Sequence, residues 1–479
     1  MPQLNGHCVL GDRDRNQRAR WLRTALCLLG CMVNGAVLSA QTQTPRVLTL
    51  LEALDLARRN YPPVKEVRAR ADAAKENVDV ARTSYLPRLD VLWQGNRATR
   101  NNVFGLLLPQ SIVPPVSGPV LGTSYDSVWG SAAGVLLSWQ AVDFGLRRAN
   151  VEVARAQASH ATAQAALTEL ESTAAAADAF LTVLASDESV RAARANVDRL
   201  DTFAESVRTL VRNQLRPGAD ESRADAELAI ARNQLSQAVQ TSVIARAALA
   251  DAIGMAGTTL TLDPGPLARL PSTPADGKSD VESHPAVRAA SAAVQTAEAR
   301  ERALARTYAP RVDLQTAFSG RGTGAEVPGQ PLQGDGLSLH VPNWAVGVTV
   351  SFPIFEVFAV NARKRAETQN ELAERARHEQ VVQTVTTQQT RARALMTAAR
   401  EIAQNTPIEL KAAADAESRA RARYSSGLTT VTEVAEAQQL LTQAEADDAV
   451  ARLGVWRAWL ALAQAGGDLT PFLEQLHRP

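Results

Sequence analysis

One seven-residue pattern occurs twice in this chain, and no other feature constrains the fold as strongly. Residues 85–91 read YLPRLDV, and residues 308–314 read YAPRVDL. Each copy follows an Ala-, Arg- and Glu-rich segment with helical periodicity and opens a segment in which apolar and polar residues alternate. Because self-similarity at this separation indicates a repeated supersecondary unit, we expect two halves with the same architecture.

The repeated unit consists of a helix, two strands and a very long helix. The second strands are residues 134–139 (GVLLSW) and 347–352 (GVTVSF). Residues 145–216 contain no proline, and residues 358–426 contain only Pro407. At 1.5 Å per residue, these runs predict two helical arms of roughly 100 Å. Pro407 is expected to kink or divide the second arm, because proline cannot donate the helical hydrogen bond.

Each arm ends in a turn, after which helical periodicity resumes. The turns are residues 215–218 (LRPG) and 425–428 (SSGL), and the helical patterns after them cover residues 220–253 and 431–464. Sharp turns between long helices favour antiparallel hairpins.

A second, shorter helix is expected to complete each return path. In the first half, Pro62 and Pro63 separate a short helix from one that begins near Val64. In the second half, the corresponding helix covers residues 283–307. We therefore expect two shorter helices, stacked end to end, beside each arm.

The four strand-like segments are apolar on one face and small or polar on the other. Their length suits the 9–11 residues of a membrane-spanning strand, although alternation fits an ordinary half-buried sheet equally well. Tryptophans near the strand ends favour a lipid-facing sheet. Residues 97–130 and 320–342 are rich in Pro and Gly, which predicts exposed hairpin loops. The apolar faces comprise Leu89, Val91 and Trp93; Val135, Leu137 and Trp139; Val312, Leu314 and Phe318; and Trp344, Val346, Val348, Val350 and Phe352.

The first 40 residues have the pattern of an export signal. An apolar run over residues 25–38 follows Arg15, Arg18, Arg20 and Arg23 and ends at the small pair Ser39 and Ala40. The run is shorter than the ~20 residues of a membrane-spanning helix. All three cysteines lie in this segment, so a processed chain would lack disulfides and thiolate chemistry. Residues 28–31 (LLGC) resemble a lipoprotein cleavage site, which makes Cys31 a candidate for lipidation.

Composition and motifs argue against nucleic-acid binding and catalysis. The chain carries 51 basic and 50 acidic residues, so it lacks the basic footprint of a nucleic-acid-binding protein. Its histidines do not follow a metal-site spacing. Residues 277–279 (GKS) match the end of the phosphate-loop motif, but position 272, where that motif requires its first glycine, is Ser272. We therefore expect no enzyme, no cofactor and no metal.

The number of strands restricts the assembly. Single-chain membrane barrels start at eight strands, and open sheet edges are not tolerated in lipid. Four strands therefore require a closed ring of several chains, or they do not lie in a membrane. The alternative is a periplasmic coiled-coil adaptor or structural protein. An adaptor would carry one helical hairpin, and a soluble coiled coil leaves the Trp-bearing apolar faces unexplained.

The chain resembles the TolC-like outer membrane efflux proteins. The resemblance rests on the two Y-x-P-R-[LV]-D segments, on residues 423–434 (RYSSGLTTVTEV) with 436–438 (EAQ), and on residues 48–54 (LTLLEAL). It implies an α+β, mostly α fold: an internally duplicated long-helix α-barrel whose four β-strands per chain contribute to a trimeric, twelve-stranded outer-membrane β-barrel. The resemblance also implies a Gram-negative outer-membrane location that extends into the periplasm.

The same resemblance implies a passive exit channel for tripartite efflux or type I secretion. The expected partners are two further copies, outer-membrane lipid, a periplasmic adaptor (membrane fusion) protein and an inner-membrane pump of the RND or ABC type. The expected organisation is a signal peptide (1–40), a first efflux repeat (41–254), a linker (255–280), a second efflux repeat (281–467) and a C-terminal tail (468–479).

In such proteins the hairpin tips meet the adaptor, and acidic residues beside the second tip line the periplasmic aperture. Glu433 and Glu436 match those positions and share one helix face at i, i+3 spacing. Three chains would place six carboxylates near the axis, which favours cations, although an ordinary solvated helix face fits them too. Asp225 is the weaker counterpart at the first tip. The expected tip residues are Leu215, Arg216, Pro217 and Gly218, and Ser426, Gly427, Leu428 and Thr429.

Overall fold

The structure is a computed structural model that describes residues 46–99, 126–271, 280–324 and 335–476. The expected export signal, Cys31 and the GKS segment lie outside the described residues. The strands are β1 (Arg46–Leu48), β2 (Arg88–Thr99), β3 (Ser127–Val142), β4 (Leu260–Leu262), β5 (Arg311–Thr323) and β6 (Val341–Ser351). The α-helices are α1 (Leu50–Asn60), α2 (Pro62–Thr83), α3 (Leu146–Arg212), α4 (Gly218–Ala252), α5 (Pro285–Leu304), α6 (Val357–Ser425), α7 (Val431–Gly466) and α8 (Thr470–Gln475).

The predicted duplication is confirmed. The order α2-β2-β3-α3-α4 returns as α5-β5-β6-α6-α7, and the described chain is mostly helical with a small strand content. In the half of the helical region that adjoins the strands, α3 packs against α2 and α5, and α5 packs against α6. In the other half, α3 packs against α4 and α7, and α7 packs against α6.

The two arms are continuous helices of 67 and 69 residues, as predicted. Of the two expected effects of Pro407, division of the second arm does not occur, because α6 runs through it without interruption. Proline inside a helix costs about 3 kcal/mol, but α6 packs along α7 on both sides of this position. The hydroxyl of Thr406 also donates to Asp448 Oδ1 of α7 at 3.2 Å. These contacts hold the helix together at Pro407.

The end-to-end stacking of the return helices is confirmed, and a glycine makes each joint. Gly254, after α4, has φ +69°, and a Cβ there would lie 2.8 Å from the carbonyl carbon of Asn60. Gly467, after α7, has φ +81°, and a Cβ would lie 2.8 Å from Pro285 Cδ. Left-handed backbone and close approach both require glycine. The helix α2 begins at Pro62 itself, since proline is tolerated in a first turn.

The largest apolar cluster joins the middle of α3 to the ends of α4 and α7 and to α1 and α8. Its largest fully buried side chains include Phe180, Trp456 and Phe472. Residues 255–271, expected to be part of a linker, contribute β4, which pairs with β1, and a short 3₁₀ helix. Leu267 of that helix is 1% exposed, and Trp456 Nε1 donates to the carbonyl of Arg269 at 2.8 Å. This half of the segment is therefore anchored in the core.

The four long strands form one antiparallel sheet in the order β2-β3-β5-β6. Val91 pairs with Val135, Val135 with Phe318, and Phe318 with Trp344. Directly opposed residues share a face, so the predicted apolar faces combine into one. The strands contain 12, 16, 13 and 11 residues, and all four extend into the segments whose composition predicts loops.

Within the described part of the chain, no helix combines the length and the apolar character needed to cross a bilayer.

We expect Phe180→Ala to lower the free energy of unfolding by about 3–5 kcal/mol, because the side chain is fully buried and its removal leaves a cavity. Denaturant unfolding of the purified protein in detergent measures this change. Lys75→Ala is the control, since it removes only an exposed ion pair with Asp72 and should change stability by less than about 0.5 kcal/mol. Equal effects of the two substitutions would contradict the assigned core.

Candidate functional site

The combined face of the sheet is apolar and exposed. Trp93 and Val91 on β2 are each 77% exposed, Trp344 on β6 is 78% exposed and Phe318 on β5 is 64% exposed. The opposite face carries smaller and more polar side chains and is better sheltered; Gln315, for example, is 9% exposed. A contiguous exposed apolar surface of this kind marks a protein or membrane interaction site. Trp129 and Trp344 lie near strand ends as expected, whereas Trp93 lies in the middle of β2.

The sheet also has two free edges among the described strands. β2 pairs only with β3, and β6 pairs only with β5. Each edge therefore presents a row of backbone N–H and C=O groups that can pair with another strand.

The residues before β2 contact the start of the arm through an arginine that also forms a buried ion pair. Arg147 Nε lies 3.1 Å from Asp143 Oδ2, and each side chain is 9% exposed. The same guanidinium donates to the carbonyl of Ser84 at 3.3 Å and lies 4.9 Å from the ring centroid of Tyr85. Trp139 Nε1 donates to the carbonyl of Tyr85 at 3.1 Å. The motif tyrosine of the first half thus packs at the junction between the sheet and the long helix.

The two hairpin tips have the same backbone geometry. Gln214 has φ +59° and Gly427 has φ +76°. The next residue in each tip donates its backbone N–H five residues back, from Leu215 to Leu210 and from Leu428 to Arg423, at 2.9 Å in both cases. Gln214 therefore corresponds to Gly427.

This correspondence corrects the alignment of the tips that the glycines indicate in the sequence. Asp220 and Glu433 each lie six residues after the left-handed position of their tip, so they correspond. Asp225 and Gln438 each lie eleven residues after it, so Asp225 corresponds to Gln438. Sequence reasoning missed Asp220 because glutamine rarely occupies a left-handed position, so Gly218 was taken for the turn residue.

A contact between the tips centres on Tyr424, which is 3% exposed. Its hydroxyl donates to Asp220 Oδ2 at 3.2 Å. Arg216 Nη2 donates to its backbone carbonyl at 2.7 Å, and the Arg216 guanidinium lies 4.4 Å from the ring centroid. Phe203 packs edge-on at 5.2 Å between ring centroids. Burial, together with the carboxylate of Asp220, raises the pKa of Tyr424 to about 12. We call Arg216, Asp220 and Tyr424 the tip latch.

The three acidic candidates differ in their surroundings. Glu433 and Glu436 are exposed, and neither forms an ion pair with another described residue. Asp225 is also exposed, but its Oδ1 accepts a hydrogen bond from Arg208 at 2.6 Å. The two glutamates are therefore available to face a pore, whereas the charge of Asp225 is compensated.

The tip residues divide into outward and inward groups. Leu215 is 68% and Leu428 69% exposed, an unusual exposure for leucine at two equivalent positions. Pro217, Gly218, Ser426 and Gly427 are exposed as well. Thr429 is 7% exposed and turns inward, and Arg216 is engaged in the tip latch. Each tip thus presents one highly exposed leucine.

No group of three His, Cys, Asp or Glu side chains in the described ranges could hold a metal ion. His284 is buried between helix ends, apart from the tips and the sheet.

The family model for outer membrane efflux proteins matches residues 53–255 and 280–468. The chain belongs to this family. The two matched segments correspond to the two structural repeats, and they cover most of the chain. Membership favours the channel over the coiled-coil adaptor or structural protein that the sequence left open, and it places the protein in the outer membrane. Family and fold are those of passive channels.

Individual relatives agree with this membership. Protein CyaE of Bordetella pertussis is 28% identical over 275 residues, which is 56% of this chain and 53% of that protein, so the chain spans about half of this relative. The CmeC outer membrane channel of Campylobacter jejuni superposes with a TM-score of 0.71 at 14% identity, over 87% of this chain and 85% of CmeC. The MtrE outer membrane channel of Neisseria gonorrhoeae gives 0.68 at 20% identity, over 88% and 89%.

We expect Tyr424 to titrate with an apparent pKa near 12, whereas an exposed tyrosine titrates near 10. Because the folded state favours the neutral phenol, its contribution to stability is complete below pH 10 and is lost as the pH rises towards 12. Tyrosinate absorbance between pH 9 and 12.5, compared with that of Tyr424→Phe, isolates this group. A Tyr424 titration near pH 10 would contradict the buried contact.

We expect Arg216→Ala to destabilise the tips locally by about 1–2 kcal/mol, because it removes a charged hydrogen bond and a cation–π contact. Hydrogen exchange of the amides around residues 420–430 measures the loss. Arg223→Ala is the matched control on the same hairpin, since Arg223 pairs only with Glu227 on an exposed surface and should contribute less than about 0.5 kcal/mol. Unchanged exchange in Arg216→Ala would show that the tip latch does not hold the tips together.

Proposed function

We propose that three copies of this chain form the outer-membrane exit channel of a tripartite efflux or type I secretion system. The single observation that carries the proposal is the exposed apolar face of an open four-stranded sheet. Exposure of this face to water would cost free energy, whereas in a bilayer the face would contact lipid. Membership of an outer-membrane family agrees with contact between this face and lipid.

The free edges of β2 and β6 support closure by further copies. Hydrocarbon offers no hydrogen-bond partners, so every strand edge in lipid must be paired. Three copies would bring twelve strands, above the minimum of eight for a barrel. β6 of one copy would pair with β2 of the next, and the sheltered, polar face of each sheet would line the lumen.

The long helices would then continue the lumen into the periplasm as an α-helical barrel. α3 and α6 would each be roughly 100 Å long, enough to carry the tips far from the membrane. The channel would be passive, and an RND or ABC pump in the inner membrane would supply the energy.

The tips are the proposed contact with a periplasmic adaptor. Leu215 and Leu428 are equivalent and highly exposed, and an exposed leucine at a helical turn suits insertion into an apolar groove of a partner. Arg216, Pro217, Gly218, Ser426, Gly427 and Thr429 would shape this contact around them.

Photo-crosslinking in the native cell tests the proposal, with the probe placed at Leu215 and at Leu428. Capture of one periplasmic adaptor at both positions, together with oligomers of three chains in the outer-membrane fraction, is the expected result. A probe at Val80, an equally exposed position on α2, is the control and should not capture the adaptor. A soluble monomer without tip crosslinks would exclude the channel. The pump that co-purifies with the adaptor identifies the type of system.

Glu433 and Glu436 are the proposed aperture residues, and substituting both with glutamine should reduce the preference for cations. The physical reason is that a ring of carboxylates concentrates cations at a constriction. The measurement is the reversal potential of reconstituted channels in a salt gradient, which should move towards the unselective value. Asp225→Asn is the matched control, because that carboxylate is already paired with Arg208 and should shift the potential much less. A larger shift in the control would transfer the aperture role to Asp225.

A further inference from the structure

The joint between α7 and α5 is closed by a buried histidine. His284 is 5% exposed and is the N-cap residue of α5. Its Nδ1 accepts a hydrogen bond from the backbone N–H of Ala286 at 3.1 Å. Its Nε2 lies 3.2 Å from the carbonyl oxygen of Gln464 in the last turn of α7. One imidazole thus bridges the N-terminus of one helix and the C-terminus of another.

The two contacts require the neutral ring with its proton on Nε2. Nδ1 must be unprotonated to accept from Ala286, and Nε2 must carry a hydrogen to donate to Gln464. When the ring binds a second proton, Nδ1 becomes a donor and faces the N–H of Ala286. Protonation therefore removes the cap of α5 and leaves two N–H groups opposed. The contact to Gln464 alone can persist.

A cavity gives water a path to this ring. The cavity has a volume of about 420 Å³ and lies between α3, α5, α6 and α7. Two charged side chains line it with His284: Glu171 from α3 and Arg377 from α6. Glu282 precedes the joint in the adjacent 3₁₀ helix, and α7 contributes only the uncharged Gln464. The charges around the histidine are therefore mixed, and no cluster of carboxylates stabilises its protonated form.

The equivalent joint in the first repeat has no titratable cap. Tyr61 is the N-cap residue of α2 there, and its side chain makes no capping hydrogen bond. Gly254 closes that joint as Gly467 closes the second one. Both joints contain a left-handed glycine, but of the two N-cap residues only His284 bridges the helix ends with its side chain.

Burial lowers the pKa of His284, and the carbonyl of Gln464 and the charge of Glu171 raise it by less, so that it lies below the ordinary value of 6.5. The folded state thus favours the neutral ring. Its contribution to stability is complete above pH 6.5 and is lost as the pH falls through the folded value.

We propose that His284 makes the joint of the second repeat an acid-sensitive point in the helical wall, which loosens when the ring is protonated, while the joint of the first repeat does not respond. The geometry of both ring nitrogens and the access from the cavity carry this inference. It depends on contacts within one chain and not on the proposed channel function.

Hydrogen exchange of the full-length protein at pH 7.5 and pH 5, corrected for intrinsic exchange rates, tests the proposal. In the wild type, amides 286–290 at the start of α5 should lose protection about fivefold at pH 5, the loss expected for one helix cap. Amides 63–67 at the start of α2 are the internal control and should keep their protection. Equal loss at both joints, or no loss at α5, would overturn the proposal.

Two variants separate titration from general weakening of the joint. His284→Asn keeps a capping side chain that does not titrate, and His284→Tyr reproduces the residue of the first repeat. In both variants the protection at the start of α5 should be the same at pH 7.5 and pH 5, whatever its absolute level. An acid-dependent loss that persists in His284→Asn would assign the effect to another group and refute the role of His284.

Discussion

The unpaired backbone of β2 and β6 is the constraint on which the rest of the structure depends. A four-stranded sheet with an apolar outer face cannot be stable alone in water, and its open edges cannot be stable in lipid. Under the proposed function, lipid would cover the apolar face and further copies would pair the edges.

The helical region solves a different physical problem. An arm of nearly 70 residues cannot be buried by one short return helix, so each half stacks two helices beside it. The stacking brings a helix C-terminus against a helix N-terminus, and only glycine permits that approach at Gly254 and Gly467. The large apolar cluster around Phe180 and Trp456 lies at the level of these joints. The largest apolar cluster therefore lies where the helices are interrupted.

The two repeats share their backbone and differ in polar contacts. At the tips, Arg216 and Asp220 of the first repeat hold Tyr424 of the second, so the contact exists only because the repeats have diverged. At the joints, His284 bridges two helix ends where Tyr61 does not. The two repeats therefore share one architecture, and their side-chain differences create contacts that occur in one repeat or between the two.

The sequence by itself determined the repeat, through its doubled seven-residue pattern. It also determined the alternating strand faces, the two arms and their return helices, because these follow from local patterns of 2 and 3.6 residues. The tertiary structure decided what local patterns cannot express. Pro407 stays within one helix because α7 packs against α6. Leu267 joins the core although the composition of its segment predicts a linker. Gln214 adopts a left-handed conformation, which a glutamine in a sequence does not indicate. Asp220 became visible as the counterpart of Glu433 only through that backbone angle, since long-range contacts and dihedral angles leave no periodic trace in a sequence.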